Sequence, residues 1–172
     1  MRWRSFSWLL LGVFLFLDKP IAEWLSEWHP TWLMTFAKIA TFCINPGWIC
    51  SSFIAVTLTM IAFDLKYQYK WIRSCACLGF GLLIIRIIKS CVGRSRPKLW
   101  LKQHIYTCKF FTFDSQYLSF PSSHSYAVFA IAFILSRHFP KWRAAIFATS
   151  ALLSSSRVIL HQHFATDIAA SF

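Results

Sequence analysis

The sequence predicts an all-α fold, a transmembrane bundle of five to six helices, on three observations. Hydrophobic residues make up 57% of the 172 residues and charged residues only 14%, a balance too apolar for an ordinary soluble domain. The apolar residues gather into separate runs close to the length of a membrane span. Polar residues collect at the ends of these runs. We expect residues 1–172 to form a single domain.

Five apolar runs supply the expected spans. They are Phe6–Leu17, Pro46–Phe63, Ser74–Ile88, Phe120–Ser136 and Trp142–Leu160. A spanning helix needs about 20 mostly apolar residues, and the third run reaches that length if it includes Trp71 and Arg73 snorkels. The short first run follows Arg2 and Arg4 and also fits the core of a signal peptide. Because no small-x-small cleavage site follows it, we favour a retained span.

The connections between the runs indicate how the chain is oriented. The segment Pro30–Cys43 predicts an interfacial or packed helix, which the Asn-Pro-Gly sequence at residues 45–47 ends. Basic residues mark three connections that alternation places on one side, expected to be cytoplasmic. They are Arg2, Arg4, Lys66, Lys70, Arg73, Arg137, Lys141 and Arg143. The long connection Lys89–Ser119 lies on the other side and is also basic, which favours a function for its cations.

Charge and cysteine content exclude several classes of protein. The net charge is +12, but the basic residues interrupt apolar runs instead of covering a soluble face, so we expect no nucleic-acid partner. The six cysteines do not have the spacing of a metal site. Cys91 and Cys108 fall in one polar connection, where a disulfide is possible if that side is oxidising.

Three polar segments lie at the ends of the third, fourth and fifth runs. They are Lys89–Pro97, Pro121–His124 and Ser156–Asp167. Helices that alternate in direction bring these ends to one membrane depth, where polar groups are costly unless they pair or function. Taken singly, each segment has a structural interpretation as snorkelling cations, a helix cap or a structural hydrogen bond. Their order and shared side favour a site.

The residue types in these segments suit phosphate chemistry. Lys89, Arg96 and Arg157 offer three positive charges, and an arginine side chain can bind two phosphate oxygens at once in a bidentate contact. Ser122 and Ser123 stand at a helix start, where hydroxyl and backbone N–H groups favour an anion.

A pair of histidines and a carboxylate supply the reactive groups. His163 and Asp167 are four residues apart and share a face if they are helical. A carboxylate on one imidazole nitrogen would fix the tautomer and leave the other nitrogen free as a nucleophile. His124 comes from a different helix and could protonate a leaving oxygen, then activate water.

The three segments resemble the motifs of the type 2 phosphatidic acid phosphatase superfamily, K-x6-RP, PSGH and SR-x5-H-x3-D. The first and third match at every fixed position, and the second has Ser123 where the family has glycine. That change would strain the loop if its φ were positive. The six-span lipid phosphatase branch would cover the whole chain. Only Ile168–Phe172 follows Asp167, so the sixth span would be incomplete.

The resemblance implies a phosphoryl-histidine mechanism that needs no metal and no cofactor. The catalytic residues would be the nucleophile His163, its orienting partner Asp167 and the general acid His124. The substrate-binding residues would be Lys89, Arg96, Ser122, Ser123 and Arg157. The expected location is the bacterial inner membrane, with the site on the periplasmic face.

The resemblance leaves the substrate and the final acceptor open. The substrate would be a lipid phosphate or diphosphate, such as lipid A, undecaprenyl diphosphate, phosphatidate or phosphatidylglycerophosphate. Phosphotransfer to another lipid is one alternative. A non-catalytic membrane protein that binds lipid headgroups is a second alternative, although binding alone needs cations and not a pair of histidines.

Overall fold

Helices joined by turns make up the structure, a computed structural model that describes residues 16–63, 65–66 and 68–172. The helices are α1 (Asp18–Glu27), α2 (Thr31–Cys43), α3 (Pro46–Ala62), α4 (Gln68–Val92), α5 (Pro97–Gln103), α6 (Ser123–His138), α7 (Arg143–Ile159) and α8 (Ala165–Ala169). Within these residues no strand forms, and one isolated bridge joins Arg94 to Cys108. The all-helical prediction is confirmed.

In the part of the chain that the structure describes, two helical stretches are long and apolar enough to cross a membrane, Thr31–Ala62 and Tyr69–Val92. The first joins α2 to α3, and the second lies within α4. Helices α6 and α7 occupy the predicted fourth and fifth spans but contain 16 and 17 residues, about 24–26 Å of helix against a hydrocarbon core of about 30 Å. The count of five to six spans is therefore not confirmed. The predicted first span, Phe6–Leu17, lies outside the described residues except for its last two.

Large apolar side chains face outward, and small polar side chains lie between helices. On α4, Phe80 and Leu83 are 66% and 56% exposed. On α7, Ser150, Ser154 and Ser156 are buried. Small residues let helices approach closely inside a bilayer, and an apolar outer surface suits contact with lipid tails. The distribution is the opposite of that in a soluble bundle and agrees with a membrane location.

Helix α7 connects most of the bundle, because it packs against α6, α2 and α8. The hydroxyl oxygens of Thr41 on α2 and Ser156 on α7 lie 3.0 Å apart and share a hydrogen bond, so the segment expected to be interfacial or packed forms a packed helix. Helix α4 packs on α3 and α6. At its crossing with α6, a Cβ on Gly81 would lie 1.7 Å from the Tyr126 hydroxyl oxygen. This packing brings the C-terminal ends of α4 and α7 beside the N-terminal end of α6.

The chain reverses direction directly after α4, at Gly93. This residue has a φ of 57°, in the left-handed region that glycine adopts without strain. Its carbonyl accepts a hydrogen bond from the Lys109 N–H at 2.7 Å, and the Ser95 N–H donates to the Thr107 carbonyl at 2.9 Å. The reversal turns Arg94 inward, where only 2% of it is exposed.

Backbone hydrogen bonds, and no disulfide, hold the long connection to the end of α4. Cys91 and Cys108 are free thiols, like the four other cysteines, so the disulfide that the sequence left open is not formed in the structure. The Thr112 N–H instead donates to the Ser90 carbonyl at 3.0 Å. The connection is therefore anchored close to the predicted phosphate-binding residues.

Replacement of Gly93 by alanine is expected to destabilise the protein, whereas the same change at Gly79 is not. A Cβ at Gly93 would lie 1.7 Å from the Lys109 carbonyl oxygen, and the left-handed φ adds about 1–2 kcal/mol. A Cβ at Gly79, inside α4, would meet no atom within 4 Å, and alanine is the better helix former by about 1 kcal/mol. Thermal unfolding in detergent measures both variants, and equal melting temperatures would contradict the expectation.

Candidate active site

Six predicted residues from the three motifs form one group at the polar end of the bundle. We call them the histidine cluster: Lys89, Arg96, His124, Arg157, His163 and Asp167. His124, in the first turn of α6, interacts electrostatically with His163 and with the three cations. Lys89, near the end of α4, interacts with Asp167 and with both arginines. The structure therefore brings together six of the eight predicted site residues, from four helices (α4, α6, α7 and α8), the N-cap of α5 and the turn after α7.

The ring of His163 is held by a backbone carbonyl. His163 lies in the turn between α7 and α8, and its Nδ1 is 2.6 Å from the Ser119 carbonyl oxygen. A carbonyl oxygen can only accept a hydrogen bond, so Nδ1 carries the proton of the neutral imidazole. The other nitrogen, Nε2, therefore keeps its lone pair and is the nucleophilic atom of the ring.

Asp167 lies beside this ring but does not hydrogen-bond to it. Its Oδ2 is 3.6 Å from His163 Nδ1, beyond hydrogen-bond distance. The same oxygen accepts from the Ser119 hydroxyl at 2.5 Å and from the Phe164 N–H at 2.8 Å. The two residues do not share a helix face as the sequence suggested, because His163 precedes α8 and Asp167 turns back over the first turn of that helix. Ser119 makes the orienting contact that we expected of Asp167.

Arg94 and Asp18 complete the surroundings of Asp167, although neither was predicted to be a site residue. Arg94 Nη1 donates to Asp167 Oδ1 at 2.5 Å and to Thr166 Oγ1 at 2.8 Å. Its Nη2 donates to Asp18 Oδ2 at 2.7 Å, and Asp18 also accepts from the N–H and the hydroxyl of Thr166. This buried network joins the start of α1 to α8.

One signal in the sequence pointed to this network. The chain has only six acidic residues against 18 lysines and arginines, and Asp18 directly follows an apolar run. An acid in that position needs a cationic partner. The partner itself lies 76 residues away in the chain, so no local pattern identifies it.

Burial keeps His163 uncharged, whereas hydrogen bonds and nearby charges keep Asp167 ionised. Burial lowers the pKa of His163 to about 4, with Lys89 and Arg157 adding to the shift and Asp167 opposing it. Burial alone would raise the pKa of Asp167, but its interactions with His163, Arg94 and Ser119 outweigh burial and lower that pKa. At neutral pH, His163 is therefore uncharged and Asp167 is ionised.

The cations of the histidine cluster retain unused hydrogen-bond donors. Arg96 donates through Nη1 to the Gln162 side-chain oxygen. Among the described residues, the buried Nε atoms of Arg96 and Arg157 are two that have no hydrogen-bond partner. Buried donors without partners are unfavourable, so these arginines suit an anion that would satisfy them. Within the same part of the chain, no group of three or more His, Cys, Asp or Glu residues is placed to hold a metal ion.

The two predicted serines occupy the start of α6. Ser122 is its N-cap, and the Ser122 hydroxyl accepts from the Ser125 hydroxyl at 3.0 Å. The Ser122 hydroxyl also accepts from the Ser125 N–H at 3.4 Å, which confirms the helix-cap interpretation, while phosphate binding by Ser122 stays a prediction. Ser123 is the first helical residue and does not have a positive φ. Serine at this position therefore brings no backbone strain.

The protonation state of His163 can be measured directly. We expect its imidazole to stay neutral, with the proton on Nδ1, down to about pH 4, whereas an unperturbed histidine takes up a proton near pH 6.5. Between these values the unfolded chain binds a proton that the folded chain does not, so stability falls as pH decreases through this window. Nitrogen-15 NMR of histidine-labelled protein, assigned with His163→Gln, reports both properties. A midpoint near pH 6.5 would contradict the assignment.

Loss of Arg94 is expected to be one of the most destabilising single changes in the chain. Arg94→Ala leaves two buried carboxylates without their cation, and breaking a buried pair costs about 3–5 kcal/mol. A double-mutant cycle with Asp18→Asn tests the coupling, since the double variant should lose less stability than the sum of the single variants. Additive losses of melting temperature in detergent would show that the two side chains are not coupled.

Comparisons with known proteins identify relatives of this chain. The sequence model of the PAP2 superfamily matches residues 70–172. A lipid A 1-phosphatase of Rhizobium etli is 30% identical over 192 residues, which cover 99% of this chain and 79% of the relative. A lipid A 1-phosphatase of Rhizobium johnstonii is 31% identical over 91 residues, which cover 53% of this chain and 37% of that relative.

A solved structure shares the fold. It is the crystal structure of a transmembrane PAP2 type phosphatidylglycerolphosphate phosphatase from Bacillus subtilis, with a TM-score of 0.69 and 19% identity. The match covers 99% of this chain and 86% of that one. The family match extends from within α4 to the last residue and therefore includes all three motifs. On its sequence and its fold, the chain belongs to the PAP2 superfamily.

Proposed function

We propose that this protein is a membrane-embedded phosphatase that hydrolyses a lipid phosphate or diphosphate through a phosphoryl-histidine intermediate. The family supports phosphatase activity. The observation that carries the mechanism is the state of His163, which is neutral, held at Nδ1 by the Ser119 carbonyl and surrounded by cations. Such a ring has one free nitrogen directed by a fixed hydrogen bond, as a nucleophile requires.

The substrate phosphate would bind among Lys89, Arg96 and Arg157. Lys89 and Arg157 are only 6% and 8% exposed, so their charges act in a medium of low dielectric constant, where they are strongest. The unsatisfied Nε donors of the two arginines would bind phosphate oxygens. The same contacts would stabilise the negative charge that spreads over the equatorial oxygens in the transition state.

In the first step, the lone pair of His163 Nε2 attacks phosphorus, and the bond from phosphorus to the lipid oxygen breaks. The bonding electrons go to the leaving oxygen, which takes a proton from His124. That imidazole is protonated when the phosphate binds, because the negative charge of the phosphate favours the cation. This produces the lipid alcohol and a phosphoryl group on His163. Asp167, whose Oδ2 lies 3.6 Å from Nδ1, stabilises the positive charge that develops on the ring.

In the second step, His124 accepts a proton from water, and the water oxygen attacks phosphorus. The bond between phosphorus and Nε2 breaks, its electrons return to the nitrogen, and inorganic phosphate leaves. His124 is again protonated and the neutral ring of His163 is restored. No metal ion and no cofactor takes part in the proposed cycle.

The proposed substrate is a lipid because the histidine cluster lies at the end of helices with apolar outer surfaces. Proteins similar to this chain carry the names lipid A 1-phosphatase and phosphatidylglycerolphosphate phosphatase, which makes both lipids first candidates. The opposite ends of α4 and α6 carry Lys70, Arg73 and Arg137. Basic residues there favour a cytoplasmic location for those ends and a periplasmic location for the site.

Phosphate release from purified full-length protein in detergent, with EDTA present, tests the proposal. The panel contains phosphatidate, phosphatidylglycerophosphate, undecaprenyl diphosphate and lipid A. We expect release by the wild type, none above background from His163→Ala, and a loss of about 10²–10⁴-fold in His124→Ala, the usual contribution of a general acid or base. His29→Ala, an exposed histidine between α1 and α2, is the matched control.

A substrate with a good leaving group distinguishes the roles of the two histidines. With labelled p-nitrophenyl phosphate the first step needs no acid, so His124→Ala should accumulate an acid-labile phosphoprotein that His163→Ala cannot form. Release that EDTA abolishes, or label that persists in His163→Ala, would overturn the mechanism. No release from any lipid by folded protein would favour the non-catalytic alternative, and transfer to an added lipid alcohol would favour the phosphotransferase.

A further inference from the structure

A polar cavity of about 340 Å³ opens beside the histidine cluster, on the side of Arg96. Its charged and amide side chains come from Arg96, Lys98, Lys102, Gln103, Gln116 and Gln162. Three of the residues that line it are cationic and none is acidic. The volume lies within the range of about 300–1,000 Å³ that is usual for small-molecule sites. The proposed reaction gives this cavity no role.

Arg96 is shared by the cavity and the histidine cluster. Its Nη1 donates to the Gln162 side-chain oxygen, and its backbone N–H donates to the Gln116 carbonyl at 2.9 Å. These two bonds fix the amide wall of the cavity relative to the phosphate-binding arginine. A molecule whose phosphate is bound by Arg96 would therefore extend its neighbouring groups into the cavity.

The arrangement of the lysines is unfavourable unless an anion is bound. Lys98 and Lys102 stand four residues apart on α5, and like charges at this spacing destabilise a helix. Lys98 also interacts electrostatically with Arg96 and Arg157. The lining residues supply no carboxylate that would relieve this repulsion. The three glutamine amides, in contrast, suit hydroxyl and phosphate oxygens equally well.

We propose that this cavity binds a second anionic group of the lipid headgroup, next to the phosphate that is cleaved. The inference rests on the proposed function and narrows its substrate class. The preferred substrates are lipids whose headgroup carries at least two anionic groups, such as phosphatidylglycerophosphate, a diphosphate lipid or a bisphosphorylated lipid. Phosphatidate has a single phosphate, so it has no second anionic group that could enter the cavity.

The test compares phosphatidylglycerophosphate with phosphatidate as substrates of the full-length protein in detergent. The wild type should have the higher kcat/KM on the first lipid. Lys98→Ala/Lys102→Ala should lower that value by about tenfold, mainly through a higher KM. The reason is that each exposed charge pair strengthens binding by up to about fivefold. On phosphatidate the change should be less than twofold. Both lysines are exposed, so the double variant should fold.

Two further variants control for charge in general. Lys98→Arg/Lys102→Arg should retain the wild-type ratio of kcat/KM values. Lys109→Ala should also retain it, because Lys109 is an exposed cation on the same connection that lies over the Tyr117 ring and does not line the cavity. A loss in Lys109→Ala as large as in the double variant would mean that surface charge, and not the cavity, selects the lipid.

The remaining outcomes separate this inference from the proposed function. Equal effects of the double variant on both lipids would overturn the subsite and leave the hydrolysis mechanism intact. Inorganic phosphate could instead inhibit the double variant less than the wild type, while the ratio of kcat/KM values for the two lipids stays unchanged. That result would show that the cavity binds the free product, which contradicts the inference. Absence of hydrolysis in the wild type would overturn the proposed function, and the subsite with it.

Discussion

A carboxylate that is shielded from water must remain ionised within the histidine cluster. Asp167 is fully buried, and removing a carboxylate from water costs several kcal/mol unless charges and hydrogen bonds replace the lost hydration. Arg94, the Ser119 hydroxyl and the Phe164 N–H provide that replacement. Because each of these groups comes from a different part of the chain, the need to stabilise one charge fixes several elements relative to one another.

Ser119 connects this requirement to the chemistry of the site. Its hydroxyl donates to Asp167, and its carbonyl accepts from His163. The carboxylate therefore orients the imidazole through Ser119 while remaining 3.6 Å from the ring. This distance is short enough for a strong electrostatic effect in a buried site. It also leaves the carboxylate free of the ring proton, so in the proposed mechanism Asp167 would stabilise a cation on the ring without competing for that proton.

The elements of the fold were predictable where local signals define them. Proline and an asparagine cap mark the start of α3, which was expected to begin at Pro46 and does so. The proximity of the three motifs could be predicted from the alternating direction of the helices alone. The number of membrane spans could not be predicted from the sequence, because an apolar run can include residues that lie outside the helix. The predicted fourth span included residues 120–122, yet the helix begins only at Ser123, with Ser122 as its N-cap. Arg94, Asp18 and the Ser119 carbonyl were missed because their partners are distant in sequence and no residue type marks a backbone acceptor.

The contact between Asp18 and Arg94 also ties the first described helix to the candidate site. The two residues lie 76 positions apart, and Asp18 accepts a hydrogen bond from Thr166 across 148 positions. Three distant parts of the chain therefore meet at one carboxylate: the start of α1, the residue that follows Gly93, and the start of α8. A substitution at Asp18 would disturb the surroundings of His163 although it changes no residue of the three motifs.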